Sequence, residues 1–226
     1  MKIVRSVDTP TICNAIEVVQ GKRGFSGYTR GTVLCCDPAL PAMCGYAKTA
    51  RIAAQRPSQD PPEQIRHRRL AYYRHMAAGP GPSIAVVEDI DYPDCVGAFW
   101  GEINTTVHSG LGLQGALTNG VMRDLGDLAK DFQVVAGSIG PSHAFVHVVD
   151  IGNPVNVFGL QIANGDLVHA DRHGAVVIPN DVVPLLEDAI GKLQSTERLI
   201  LEPARGPGFT IEKFEEAWRA FEAART

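Results

Sequence analysis

Between Glu102 and Arg123 the chain runs for twenty residues with His108 as its only ionisable side chain. A stretch so free of charge, "INTTVHSGLGLQGALTNGVM", reads as scaffold. It is bracketed by Glu102, just after a Trp-Gly step, and by the abrupt pair Arg123-Asp124. Around it, small-residue segments alternate with apolar runs. "FQVVAGSIG", "AFVHVVDI", "VNVFGLQI" and "GAVVIP" are β-rich and closely spaced. "INTTVHSGLG" reads as a helix entry and turn, and "GALTNG" as a short strand. "VMRDLGDLAK" reads as a helical turn or more, with Asn119 as a candidate cap.

Upstream, "TICNAIEVV" is a short helix capped by Thr9 or Thr11, with Pro10 near its first turn. "GTVLCC" and "CGYAKTARIAA" are strands, and "PGPSIAVVEDI" is a turn leading into a buried strand. A Pro-rich loop (56–64) precedes a basic helical segment (63–78). "NDVVPLLEDAIGKLQSTERLI" and "TIEKFEEAWRAFEAART" are amphipathic helices, the second with Phe214, Trp218 and Phe221 on one stripe. No internal repeat or low-complexity segment is present. These elements predict an α/β fold in a single domain over 1–226, with a helical C-terminal tail from 205 to 226 or so.

Composition excludes several classes. A net charge of −4 gives no general nucleic-acid surface. The one basic cluster (Arg66, His67, Arg68, Arg69 and Arg74, with Leu70, Tyr72 and Tyr73 interleaved) reads as a solvated helix face. No window approaches the roughly 18 apolar residues of a membrane span, and the N-terminus lacks a secretory apolar run. Five cysteines at irregular spacing form neither a zinc pattern nor a disulfide framework. The expectation is a cytoplasmic protein with reduced thiols that binds no nucleic acid and no membrane.

The chemistry concentrates at the two ends of the uncharged stretch. Gly101 lets the backbone approach a ligand closely, and the amides near 101–104 can form an anion-binding nest. Arg123 admits two readings: an exposed i, i+4 pair with Asp127, or a functional group following a strand-turn. His143 and His147, like His108, His169 and His173, read as satisfied histidines and not as zinc ligands. "GLGLQG" lacks the Lys-Ser/Thr of a P-loop and takes a packing role. No lysine has surroundings that mark it for a Schiff base.

Glu102, twenty residues and Arg123-Asp124, with "TPTICNAIE", "CGYAKTA", "GLGLQGALTNGVMRDL" and "NGDLVHADRHGAVVIP", make the chain resemble the regulator of ribonuclease activity A family. That family includes the class II 4-hydroxy-4-methyl-2-oxoglutarate/4-carboxy-4-hydroxy-2-oxoadipate aldolases, which usually carry Asp where this chain has Glu102. The resemblance implies the swivelling β/β/α topology and a trimer or dimer of trimers. It implies Asp124 as the direct protein ligand of Mg²⁺ or Mn²⁺, with Glu102 holding metal-bound water. Arg123 and the backbone of Gly101, Glu102, Ile103 and Asn104 would then bind the pyruvyl unit of a keto-acid substrate. A further carboxylate, Glu197 or Glu202, would come from a neighbouring subunit. The implied reaction is cleavage of a 4-hydroxy-2-oxo acid to pyruvate and a second keto acid, with oxaloacetate decarboxylation as a side activity. The rival expectation is a ribonuclease-binding regulator without catalysis.

Overall fold

A computed structural model describes residues 2–225. The chain opens with α1 (Lys2–Arg5) and α2 (Thr9–Gln20), then β1 (Leu34–Cys35) and the long β2 (Met43–Ala53). Next come α3 (Pro62–Ala77), β3 (Ser83–Asp89), β4 (Ala98–Trp100), α4 (Glu102–Gly110), β5 (Leu113–Thr118) and β6 (Val121–Met122). The rest is β7 (Gln133–Ala136), β8 (Ser138–Ile139), β9 (His147–Ile151), β10 (Val155–Val157), β11 (Leu160–Ile162), β12 (Leu167–Asp171), β13 (Gly174–Ile178), α5 (Leu186–Arg205) and α6 (Ile211–Arg225).

The main sheet runs β1-β7-β5-β3-β2-β12-β13, with β9 also pairing β2. Its centre, β2-β3-β5-β7, is parallel. Accordingly β3 and β7 are almost wholly buried, as expected of strands covered on both faces. β2 serves two partners on one edge: residues 43–46 pair with β12 and 50–53 with β9, with a register break at Arg51/Ile52. That division curls the sheet. α2 and α5 pack on β12 and β13 around Ile12, Ile16, Val176 and Ile190, and α3 covers β2 and β3 through Tyr72 and Met76. Among the described residues no helix is long and apolar enough to cross a membrane.

A separate three-stranded parallel sheet, β4-β6-β8, carries Gly101 and Arg123 just beyond the carboxyl ends of its first two strands. Gly115, within β5, shows what "GLGLQG" contributes to packing. A Cβ on Gly115 would lie 2.5 Å from the Gln133 carbonyl and 2.6 Å from the Met43 sulfur, so only glycine lets β5 and β7 pair under Met43.

Three local expectations need correction. Asp8, not Thr9 or Thr11, caps α2: its Oδ1 accepts from the Thr11 amide at 3.0 Å. Residues 123–130 are not helical. After β6 the chain turns through Asp124 (φ 54°) and Gly126 (φ 103°), left-handed conformations that a right-handed helix cannot hold. Asn119 caps nothing, and instead its side chain bonds both the amide and the carbonyl of Asp89. "VNVFGLQI" is two strands, a hairpin whose turn Phe158-Gly159 has φ of 52° and 79°, the paired positive values of a tight two-residue connection.

Candidate active site

The satellite sheet brings its two loops together at Gly101. Trp100 pairs with Met122, and the Arg123 amide donates to the Trp100 carbonyl at 2.8 Å, so the chain leaves both strands at one corner. Ligand sites of parallel sheets form beyond such carboxyl ends. Gly101 is the N-cap of α4 in extended conformation. A Cβ there would lie 2.5 Å from Asp124 Oδ2 and 3.0 Å from Arg123 Nε. A side chain at this position would push the Asp124 carboxylate and Arg123 out of this arrangement.

Asp124 Oδ2 accepts from the Glu102 amide at 3.1 Å, and Arg123 Nε lies 3.5 Å from the same oxygen. This places the Arg123 charge against Asp124, and the expected alternative pair with Asp127 does not form. The Asp127 amide instead bonds the Asp124 carbonyl at 3.0 Å, closing a turn. Both functional side chains stay about one-third exposed, at 31% and 34%. Among the described residues, Asp124 Oδ1 and the Glu102 carboxylate have no hydrogen-bond partner. The amides of Ile103 and Asn104 lie in the first turn of α4, where a helix leaves its N–H groups without intrahelical acceptors and favours an anion.

Two tyrosines of α3, read at first only as part of a solvated face, fix that turn from behind. Tyr73 Oη donates to Asn104 Oδ1 at 2.7 Å, and Asn104 Nδ2 donates to the Phe99 carbonyl at 2.6 Å. The Asn104 side chain is thus committed to the scaffold, leaving its amide for a ligand. Tyr72 Oη donates to His108 Nε2 at 2.7 Å, while His108 Nδ1 donates to the Asn104 carbonyl at 2.6 Å. His108 is fully buried, and burial drives its pKa down to about 4 although the Asn104 carbonyl opposes the shift. It is a neutral core histidine, as read from the sequence. His169 is likewise satisfied, by Thr9 Oγ1 and the Val4 carbonyl.

The acids of "NGDLVHADRHGAVVIP" prove to be structural. Asp166 accepts the Ala163 amide at 2.8 Å, and Asp171 accepts the amides of Thr9 and His173, each at 2.8 Å. Of the two C-terminal acids, Glu197 lines a cleft between α2 and α5, and Glu202 is exposed on α5. Neither joins the Gly101 corner of its own chain in any described contact.

The donor set suits a hard cation. Among the described residues, no three His, Cys, Asp or Glu side chains cluster as a cage. One unpartnered carboxylate oxygen on a partly exposed Asp124, with the Glu102 carboxylate in the adjoining turn, is the donor chemistry of Mg²⁺ or Mn²⁺, which keep several waters and take one or two carboxylates.

Residues 9–177 match the RraA-like family model, described as Aldolase/RraA. Protein DlpA of Legionella pneumophila is 26% identical over 140 residues, covering 61% of this chain and 22% of its own length; the chain spans less than a quarter of that relative. An uncharacterized protein from Pseudomonas syringae shares the fold with a TM-score of 0.68 at 21% identity, covering 97% of this chain and 94% of that one. Streptomyces coelicolor RraAS2, described as an unusual member of the RNase ES inhibitor RraA protein family, has a TM-score of 0.64 at 22% identity, covering 87% and 94%. At these identities the structural likeness concerns the fold.

Proposed function

The chain belongs to the RraA-like family, and on that premise we propose that it is a divalent-metal-dependent aldolase releasing pyruvate from a 4-hydroxy-2-oxo acid. The observation that carries this reading is the corner itself. One oxygen of Asp124 is held by the Glu102 amide and the Arg123 guanidinium, leaving the other without a partner among the described residues at the first turn of α4.

The chemistry has simple requirements. The C4 hydroxyl loses a proton and the C3–C4 bond breaks to give the second keto acid. Its electron pair passes to the C2 keto oxygen as an enolate, and C3 then takes up a proton to give pyruvate. A bound Mg²⁺ or Mn²⁺, held by Asp124, supplies electrophilic stabilisation of that developing charge, worth several kcal/mol. The remaining work falls to the protein. Arg123 presents a planar two-point fork to the substrate carboxylate. The amides of Ile103 and Asn104 supply neutral donors, and Glu102, solvent-exposed, orders the water that carries the proton. Oxaloacetate decarboxylation passes through the same enolate and is expected as a side activity. The further carboxylate is assigned to Glu197 or Glu202 of a neighbouring copy in a trimer or dimer of trimers.

Purified protein assayed for pyruvate from a panel of 4-hydroxy-2-oxo acids, with Mg²⁺ and after exhaustive EDTA treatment, tests the reading. Release that needs the metal supports it. Full activity after EDTA, or borohydride trapping of substrate on a lysine, overturns it. The fold likeness to an RNase ES inhibitor relative supports a second reading, a ribonuclease-binding regulator. Inhibition of a ribonuclease by protein that releases no pyruvate would favour that one.

A further inference from the structure

A cleft of about 750 Å³ lies between α2 and the α5–α6 helical pair, on elements that do not form the Gly101 corner. Its apolar walls include Val18, Leu193 and Phe221, and Lys22, Arg23 and Lys192 bring three cations to it.

The end of α2 sets the cleft's shape. Gly21 takes the left-handed conformation (φ 63°), and its amide and that of Lys22 bond back to the carbonyls of Val18 and Glu17, both at 3.3 Å. The Gly24 amide then donates to Glu17 Oε1 at 2.9 Å. The loop is thus fixed by its backbone and one carboxylate, without the side chains of Lys22 or Arg23. Among the described residues, neither of these nor Lys192 lies within ion-pair distance of an acid. Glu17 is occupied by the Gly24 amide, leaving Glu197 as the other carboxylate on the wall. Three cations against two acids leave the lining positive.

We infer that this cleft binds a small organic carboxylate with an apolar body. The cavity is within the roughly 300–1,000 Å³ of small-molecule sites. Uncommitted cations beside apolar side chains fit a ligand that is charged at one end and greasy at the other. An inorganic anion would leave Val18, Leu193 and Phe221 wet, and a neutral apolar molecule would leave the cations unanswered. Trp218, with its ring centroid 5.5 Å from that of Phe221, serves as a reporter, since the only other tryptophan, Trp100, is in the core.

The probes are 3-phenylpropionate, 3-phenylpropanol and inorganic phosphate, titrated at low salt and followed by calorimetry and tryptophan emission. Phenylpropionate is expected to saturate. The alcohol and phosphate should bind roughly tenfold or more weakly, each lacking one half of the recognition. The variant Lys22→Gln/Arg23→Gln/Lys192→Gln, altered only at exposed positions, should weaken phenylpropionate by about tenfold or more at an unchanged melting temperature. Absence of saturation, equal binding of the alcohol, or undiminished binding by the triple variant would each overturn the inference. Binding at the Gly101 corner, of the same or a neighbouring copy, would instead be weakened by Arg123→Lys, which leaves the cleft lining intact, so failure here is distinguishable from failure of the aldolase reading.

Discussion

Asp124 has φ of 54°, a backbone conformation that costs most non-glycine residues about 1 kcal/mol and that Asp and Asn tolerate best. The twist aims its carboxylate at the Gly101 corner. From it follow different failures for the two acids. Asp124→Asn keeps the backbone preference and removes the ligand charge, so Mn²⁺ affinity measured by calorimetry should collapse. Glu102→Gln should leave metal binding in place while kcat falls, because a proton acceptor is lost and the amide that holds Asp124 remains. Equal loss of affinity in both would make Glu102 a direct ligand. No loss in either would move the metal away from Arg123-Asp124. Arg123→Lys keeps the charge and loses the fork, so kcat/KM should drop on the order of 10²-fold, about 2.7 kcal/mol, with little change in melting temperature. If Asp127→Ala cost as much, Arg123 would be acting through a surface pair after all. Glu102, Arg123 and Asp124 stood out in the sequence because they bracket a long uncharged run. Tyr72 and Tyr73 were not, since nothing local in "LAYYRHM" says that an element thirty residues away will use their hydroxyls.

At the scale of elements, α4 is pinned to α3 through Tyr73–Asn104 and Tyr72–His108. The second contact makes stability depend on pH. Burial lowers the folded pKa of His108 to about 4 from an ordinary 6.5, so below pH 6.5 the unfolded chain binds a proton that the native chain refuses. The contribution is therefore complete above pH 6.5 and is lost as pH falls toward 4, by roughly 3 kcal/mol at most. His108→Gln, which keeps a donor and an acceptor, should lower stability at pH 7.5 yet flatten its decline between pH 6.5 and 4.5 in denaturant titrations. An undiminished decline would show that the native state already carries a charged His108. Helices with one apolar stripe and strands with continuous apolar runs were readable as such. "VMRDLGDLAK" was not, because its first two residues complete a sheet with β4 and β8, distant partners whose hydrogen bonds override local helix preference.

For the whole molecule, the α/β class followed from the alternation of elements. The curl of the main sheet did not, because it depends on β2 being shared by β12 and β9, and pairings that distant leave no periodic trace in sequence. The division of the strands into the main sheet, the β10-β11 hairpin and a three-stranded ladder was equally hidden. Yet it is the ladder β4-β6-β8, three strands of two or three residues each, that holds Gly101 and Arg123 in register. Short ladders open at lower free-energy cost than a full fold. Heating should therefore disarm the proposed activity before the fold melts. Activity assayed at rising temperature is expected to fade reversibly several degrees below the midpoint seen by far-ultraviolet circular dichroism, and coincident curves would refute this. The working temperature of the protein is then set by the short β4-β6-β8 ladder, and improving its tolerance to heat means bracing those few residues.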